Sequence, residues 1–193
     1  MEFYLRAAFL DGGDAVTNKS FRFMTDVRDA LPGDVPAITA IYNESIAAQD
    51  STMQLEAVSV ETVERWIRDA GEREAVLVLV EADAVVGYGM VKRYSDRGGY
   101  RYAAETSVYL WRNRTGERLG SRLQAALIDR CRGYNYNHLV AKLWAENERS
   151  RALHRKFGYE LVGVQREIGY VDGEWRDVAI MQKRLGTPAT NDG

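Results

Sequence analysis

The fold is decided by residues 102–130, which read YAAETSVYLWRNRTGERLGSRLQAALIDR. The first part of this stretch, together with Arg101, is rich in β-branched and aromatic residues and predicts a long strand that ends at Trp111. Apolar residues at helical spacing predict an amphipathic helix over 119–131. Between the two lies a basic turn that contains Gly116. The stretch is therefore a strand that passes through a short turn directly into a helix.

The turn before this helix suits an anionic ligand. A helix N-terminus presents unpaired backbone N–H groups and the positive end of the helix dipole, a combination that binds pyrophosphate. Arg112, Arg114 and Arg118 add positive charge to the turn. A solvated turn with ordinary surface arginines has the same sequence, so both interpretations stay open at this point.

Glu105 is an acid in an otherwise uncharged strand segment, 103–108. Burying an unpaired carboxylate is costly, and functional acids often occupy such positions. A solvent-facing position, or a salt bridge with an arginine, explains the same residue. Glu105 is thus a candidate base with a structural alternative.

The rest of the chain supplies further elements, in the order β-α-α-β-β-β-α-β-α-β-β. This order predicts a mixed α/β sheet with helices on both of its faces. The periodic patterns place the elements at 27–30, 35–46, 61–70, 75–81, 84–91, 101–111, 119–131, 138–144, 149–157, 160–167 and 174–183. The segment of the last helix, 147–159, is basic, is capped by Asn147 and ends at Gly158.

Length and charge bound the class of protein. The chain has 193 residues, enough for one domain with a buried core and no metal or disulfide staple. We expect this domain over 24–185, with a poorly ordered extension at 1–23 and a frayed tail at 186–193. The net charge of −2 gives no sign of a nucleic acid or an anionic membrane as partner. No apolar run is long enough for a membrane helix.

The single cysteine, Cys131, is expected to be a small buried side chain rather than a nucleophile. One cysteine allows no internal disulfide, and residues 1–23 resemble a signal peptide poorly, so we expect a reducing, cytoplasmic location. The two histidines, His138 and His154, lie on different elements and give no metal-ligand spacing. No metal is therefore expected.

Together, and in this order, the segments resemble the GNAT superfamily of N-acetyltransferases, most closely its phosphinothricin and methionine-sulfoximine acetyltransferase branch. The resemblance covers 27–185 and depends on the whole set in register, since no single piece is specific. The pieces are AIYN at 40–43, VGY at 86–88, ETSVY at 105–109, AEN at 145–147 with Ser150, LH at 153–154, FGY at 157–159 and GEWRD at 173–177.

The resemblance implies the GNAT fold, in which a mixed, mostly antiparallel sheet is splayed between the fourth and fifth strands. It implies acetyl-CoA as the cosubstrate, a small-molecule amine as the acceptor, direct attack without a metal and, by analogy, a homodimer. Glu105 would take the proton from the acceptor's ammonium, directly or through water. His154 stands where many relatives have a tyrosine that protonates the departing thiolate, and a histidine is usual in this branch.

The same resemblance assigns the remaining site residues. Those implied for acetyl-CoA are Val108, Tyr109 and Leu110 through their backbone, the turn residues Gly116, Glu117, Arg118, Leu119, Gly120 and Ser121, and Asn147 near the sulfur. Those implied for the acceptor are Ser95, Asp96, Arg97, Thr106 and Ser107, with Arg97 suited to a bidentate pair with a carboxylate.

The turn departs from the family pattern Arg/Gln-x-x-Gly-x-Gly, whose three fixed positions hold Thr115, Arg118 and Gly120 here. Glycine at the second position allows the backbone to approach phosphate closely. We expect Arg118 to swing outward and contact phosphate itself; the alternative is that it obstructs the site. Relatives also often carry an aromatic residue after the first helix, where this chain has Thr52 and Met53.

The sequence leaves three functions open. The first is acetylation of a small α-amino-acid-like amine, and the second is acetylation of another amine, such as a peptide N-terminus or a polyamine. The third is a non-catalytic module that binds or senses acyl-CoA, which the altered turn suggests. Glu105, Asn147 and His154 favour an enzyme, since a sensor needs no base.

Overall fold

The computed structural model describes residues 25–186, so the predicted extension at 1–23 and the tail beyond Gly186 lie outside it. Within these residues, seven strands form one sheet that is covered by four α-helices. The strands are β1 (Thr25–Asp29), β2 (Ala75–Glu81), β3 (Ala84–Arg93), β4 (Ala103–Leu110), β5 (His138–Trp144), β6 (Glu160–Val171) and β7 (Glu174–Arg184). The helices are α1 (Val35–Ala47), α2 (Val60–Arg68), α3 (Leu119–Gly133) and α4 (Glu148–Lys156). None of these helices is long and apolar enough to cross a bilayer.

Short polar side chains and turn residues set several of these boundaries. Ser59 accepts a hydrogen bond from the Thr62 N–H (3.3 Å) and so caps α2. Ala82 and Asp83 both have a positive φ, 48° and 65°, which is the geometry of a two-residue hairpin turn between β2 and β3. The helix and the two strands that these residues delimit are among the elements predicted from the sequence.

The predicted mixed α/β architecture is confirmed, but several strand ends differ from the prediction, and those of β4 and β6 have a local cause. β4 begins at Ala103 rather than at Arg101, because Arg101 closes a 3-10 turn over Gly98–Tyr100. β6 extends beyond Glu167, which lies in a bulge with a φ of 50° and donates its N–H to Asp177. The sequence pattern breaks at this bulge although the pairing with β7 resumes after it.

The sheet has the order β1-β2-β3-β4-β5-β7-β6, and all neighbours are antiparallel except β4 and β5. β4 pairs with β3 from Ala104 to Leu110, but it pairs with β5 at three positions only, the last being Glu105 opposite Val140. Beyond this point the two strands diverge. The predicted splay between the fourth and fifth strands is therefore confirmed.

Two apolar cores hold the sheet between its helices. On one face α3 contributes Leu127 and Cys131, and on the other α1 contributes Ile38 and Ile41; all four are fully buried. Burial raises the pKa of the Cys131 thiol to about 12, so this group stays protonated and unreactive, as expected.

β4 is fixed against β3 and α1 by aromatic and glycine contacts. Tyr109 of β4 stacks on Tyr88 of β3 (5.1 Å between ring centroids) and meets Tyr42 of α1 edge-on (5.2 Å). Gly87 and Gly89 of β3 lack the side chains that would collide with β4 and α3. The strand that forms one side of the splay is thus held from two directions.

Gly87→Ala should lower the free energy of unfolding by about 1–3 kcal/mol, because extra atoms in a filled site force their neighbours to shift. A Cβ here would lie 2.8 Å from the Tyr109 backbone oxygen and would also collide with the Leu110 side chain. Urea unfolding measures the loss. The matched control is Gly163→Ala in β6, where no described atom lies within 4 Å of the added carbon. Equal midpoints for the two variants would contradict the prediction.

Candidate functional site

A cleft of about 770 Å³ opens where β4 and β5 diverge. Its wall is formed by β4, the end of β5, the turn before α3, helix α4 and the segment that follows α1. The predicted site residues on this wall are Thr106, Ser107, Val108, Tyr109, Leu110, Gly116, Arg118, Gly120, Ser121, Asn147 and His154. Those that are not part of it are Ser95, Asp96, Arg97, Glu105, Glu117 and Leu119. Among residues 25–186, no three His, Cys, Asp or Glu side chains are grouped so as to hold a metal ion.

The edge of β4 that β5 leaves open presents backbone groups to the cleft. The Trp111 N–H donates to the Val86 carbonyl of β3 (3.3 Å), and successive residues of a strand direct their N–H and C=O groups to opposite sides. The groups of Val108 and Leu110 therefore point away from β3, toward the cleft. Those of Tyr109 point toward β3. The predicted backbone contacts thus reduce to Val108 and Leu110, because the strand register turns Tyr109 the other way.

The turn before α3 has the backbone of a glycine turn. Gly116 has a φ of 91°, which glycine adopts without strain. Arg118, the N-cap of α3, has a φ of 63° and a ψ of 8°, a left-handed conformation that costs a non-glycine residue about 1–2 kcal/mol. Its side chain is exposed on the wall of the cleft. The position therefore has a conformation that glycine adopts without strain, although it carries an arginine.

The other two arginines of the turn are already paired. Arg112 binds Asp50 (2.9 Å), and Arg114 binds both Glu81 (2.5 Å) and Glu117 (2.8 Å). These ion pairs fasten the turn to the segment after α1 and to the end of β2. The arginine at the N-cap of α3 has no such partner among the described residues.

Lys156 is a cleft residue that was not predicted. Its Nζ donates to the Ser121 hydroxyl oxygen (3.1 Å), so a cation from α4 reaches the first turn of α3. Both side chains lie on the wall of the cleft. The basic sequence of α4 is compatible with a cation in the cleft, but a solvated helix surface has the same pattern.

Asn147 is held on both sides of its amide. Its Oδ1 accepts from the Ser150 N–H (3.0 Å) as the cap of α4, and its Nδ2 donates to the Asp50 carbonyl (3.1 Å). An amide nitrogen has two N–H donors. The residue predicted to bind the pantetheine arm therefore joins α4 to the segment after α1 and has one donor left for a ligand.

His154 lies on the wall of the cleft and is only 2% exposed. Its Nδ1 donates to the Ser150 carbonyl (2.8 Å), and burial lowers the pKa of the ring, so the neutral tautomer has its proton on Nδ1. Nε2 is then an acceptor, and it has no partner among the described residues. This differs from the proton donor that the resemblance implies, because Nε2 must first gain a proton that burial disfavours.

A buried polar network lies behind this histidine. The His154 ring packs edge-on against Tyr159 (4.9 Å between centroids). The Tyr159 hydroxyl accepts from Gln124 Nε2 (3.1 Å) and shares a hydrogen bond with the Thr106 hydroxyl (3.1 Å). Thr106 was predicted to bind the acceptor, but its hydroxyl is buried and engaged in this network, which ties β4 to α3.

Glu105 forms a salt bridge, which was the structural explanation given above beside a role as base. Its partner is a lysine rather than an arginine. Lys142 Nζ lies 2.7 Å from Glu105 Oε2, and the side chains are 48% and 34% exposed, respectively. Lys142 was not predicted as a site residue. It carries the same signal as Glu105, since it is a charge within an apolar strand.

The loop at 95–97 stands beside this ion pair and off the cleft wall. Lys142 Nζ lies 5.8 Å from the ring centroid of Tyr94, which precedes the loop. Asp96 is paired with Arg93 (3.3 Å) and is 91% exposed. Contact between this loop and the acceptor remains a prediction.

Comparison with known proteins agrees with the site's geometry. The profile of the acetyltransferase (GNAT) domain matches residues 27–180. An L-methionine sulfoximine/L-methionine sulfone acetyltransferase from Pseudomonas paraeruginosa is 33% identical over 162 residues, which are 82% of this chain and 94% of that protein. A phosphinothricin N-acetyltransferase from Alcaligenes faecalis is 33% identical over 168 residues, 85% of this chain and 84% of that protein.

The similarity extends to solved structures. A GNAT superfamily phosphinothricin acetyltransferase from Sinorhizobium meliloti, in complex with acetyl-CoA, superimposes with a TM-score of 0.82 at 31% identity. The match covers 87% of this chain and 94% of that one. The residues that line the cleft all fall within the matched GNAT domain.

His154→Gln should reduce the pH dependence of stability. Because burial lowers the pKa of His154, the unfolded chain takes up a proton below about pH 6.5 that the folded chain does not, and folding loses stability as the pH falls. The drop in unfolding free energy from about pH 7.5 to about pH 5.5 should therefore be larger in the wild type than in the variant, as measured with urea. His138→Gln, at the chain's other histidine, is the matched control. Equal drops in the wild type and in His154→Gln would contradict the prediction.

Proposed function

The chain belongs to the GNAT family of acetyltransferases, and on this premise we propose that it transfers acetyl from acetyl-CoA to the primary amine of a small amino-acid-like acceptor. The observation that carries the proposal is the splay of β4 and β5, which opens a backbone edge next to an acid, Glu105. The acceptor class is supported by relatives that are named for methionine sulfoximine, methionine sulfone and phosphinothricin.

The cleft fits the amide-containing arm of acetyl-CoA, which supplies the activated acetyl group as a thioester. Val108 and Leu110 offer backbone donors and acceptors to it, as to an added strand. Asn147 offers one amide N–H, and His154 Nε2 is a buried acceptor without a partner among the described residues. A buried polar atom of this kind is satisfied when a ligand donates to it.

The phosphates of acetyl-CoA bind at the turn before α3. Gly116 has no side chain, so a phosphate can approach its backbone closely. The N-terminus of α3 supplies N–H groups and a favourable dipole. Arg118 and Lys156 supply positive charge from either side of the cleft. Arg118 is then a phosphate ligand. Its side chain replaces part of the close backbone contact that a glycine at this position would make with phosphate.

Glu105 acts as the base. An alkylammonium has a pKa of roughly 10 and cannot attack a carbonyl until it has lost a proton. Glu105 takes that proton, directly or through water. The nitrogen then forms the C–N bond as the C–S bond breaks, and the second proton that it loses passes to the departing thiolate. His154 serves the departing sulfur only after it has itself gained a proton at Nε2. Positioning of the amine supplies much of the rate.

The proposal includes a homodimer, as the resemblance implies. β6 is the outer edge of the sheet, and three of its apolar side chains, Leu161, Val162 and Ile168, are 50%, 59% and 57% exposed. A long apolar edge strand promotes association unless something covers it. A second copy of the chain is the partner that this edge supports.

Acetyl-CoA turnover across a panel of amines, followed as released thiol, tests the function. We expect the highest kcat/KM for polar α-amino acids such as methionine sulfone, and lower values for polyamines and peptides. Faster turnover of a polyamine or a peptide would favour the second function. Binding of acetyl-CoA without turnover of any amine would favour the sensor.

On the best amine of that panel, Glu105→Gln should lower kcat by about 10²–10⁴-fold, the usual contribution of a general base. The KM for acetyl-CoA should change little, because Glu105 is not on the wall of the cleft. Glu64→Gln, at an exposed acid of α2, is the control for loss of a surface carboxylate. An unchanged kcat in Glu105→Gln would remove Glu105 from its role.

Arg118→Gly should raise the KM for acetyl-CoA by about 10-fold or more, the effect of losing a hydrogen bond to a charged group. The same variant should raise the urea midpoint, because glycine adopts the left-handed conformation without strain. An acetyl thioester that lacks the phosphates, S-acetyl-N-acetylcysteamine, is the control substrate and should show the same KM with both proteins. A lower KM for acetyl-CoA would show instead that Arg118 obstructs the turn.

A further inference from the structure

Glu105 and Lys142 meet at the point where β4 and β5 diverge. Glu105 occupies the last paired position of β4, opposite Val140, and Lys142 lies two residues further along β5. Leu139 and Ala141 are buried in the core beneath α3, so alternation along the strand places Lys142 on the opposite face of the sheet. The lysine and the acid therefore face each other across the beginning of the splay, 2.7 Å apart.

Lys142 is the member of the pair that a ligand in the cleft contacts. It lies on the wall of the cleft, whereas Glu105 does not. About half of its side chain is exposed, and ion pairs with this exposure contribute little free energy. Lys142 thus adjoins both the base and the cleft, and it is only weakly held in that position.

We propose that Lys142 determines acceptor specificity by exchanging its bond with Glu105 for a bond with the acceptor's carboxylate. The proposal rests on the function given above. An α-amino acid carries its ammonium and its carboxylate on one carbon, and the pair presents the two complementary charges within one hydrogen-bond length. The acceptor's ammonium binds Glu105 while its carboxylate binds Lys142. Two charge-assisted hydrogen bonds replace one.

The same exchange controls the base. While Lys142 donates to Glu105 Oε2, the lysine competes with the acceptor's ammonium for that oxygen. A carboxylate on the acceptor draws the lysine away and leaves Oε2 to the adjacent ammonium. An amine without an anionic group does not displace Lys142. It is therefore a poor substrate through a low kcat as well as a high KM.

Other cations around Glu105 and the cleft are held in different places. Arg176 pairs with Glu174 (2.7 Å) and lies over the Trp144 ring (5.1 Å). Lys92 is opposite Glu105 in β3, but its Nζ lies over the Trp66 ring (5.3 Å). Arg97 is off the cleft wall. Lys142 is thus the cation whose ion-pair partner is the base itself.

The test compares an α-amino acid that the wild type acetylates with its carboxamide, in which a neutral group replaces the carboxylate. Lys142→Met keeps the length of the side chain and removes its charge. We expect kcat/KM for the amino acid to fall about 10–100-fold, the effect of losing a hydrogen bond between charged groups. The kcat for the carboxamide should rise, because Glu105 is released. Lys142→Arg should keep the preference for the acid.

Lys92→Met is the matched control, since it removes a cation that faces Glu105 from the other neighbouring strand, and its preference for the acid should equal that of the wild type. An equal loss on both substrates in Lys142→Met would overturn the proposal, because it would reduce Lys142 to a support for Glu105. If Arg97→Met lost the preference for the acid and Lys142→Met kept it, the proposal would be overturned. The loop at 95–97 would then be the part that binds the acceptor's carboxylate. Failure of the wild type to acetylate any amine would overturn the proposed function as well. The amine panel shows this result on the wild type, before any variant is made.

Discussion

The pairing between β4 and β5 stops after three residues, and the site depends on that interruption. β4 is paired with β3 to its end, and β5 is paired with β7 along its whole length, so each strand follows its own half of the sheet once the contact between them ends. The edge of β4 beyond this point keeps N–H and C=O groups that no strand pairs with. The interruption therefore creates both a space and a row of backbone groups for a ligand that pairs like a strand.

Some residues around the interruption have features that stability alone does not favour. Arg118 adopts a backbone conformation that favours glycine. His154 Nε2 and Gln124 Oε1 are buried without partners among the described residues. Elsewhere, helix caps, hairpin turns and apolar periodicity agree with the local structure. Left-handed backbone and unpartnered buried polar atoms also occur in other parts of the described chain. Those of Arg118 and His154 lie on the wall of the cleft, where a ligand can contact them.

The sequence predicted the elements well because apolar periodicity, caps and turn residues are local properties. It also selected Glu105, an isolated charge in an apolar strand. It did not predict that Lys142 would be its partner, because that pairing depends on the register between two strands that are far apart in the chain. The same limit applies to Tyr109, whose backbone direction follows from the register with β3, and to His154, whose tautomer follows from a contact with Ser150.

Some charges in and around the cleft are paired before any ligand arrives, whereas Arg118 and Lys156 have no acidic partner among the described residues. In the turn, Arg112 and Arg114 are paired with acids, and at the splay Glu105 is paired with Lys142. A ligand group that displaces one member of such a pair exchanges partners, so its net gain in affinity is small while the penalty for a group of the wrong charge is large. The arginine at the N-cap of α3 and the lysine of β5 are then two parts of one arrangement. The first adds a charge where a glycine would have allowed close approach, and the second, in the proposal made above, stays paired with Glu105 until a ligand with the complementary charge displaces it.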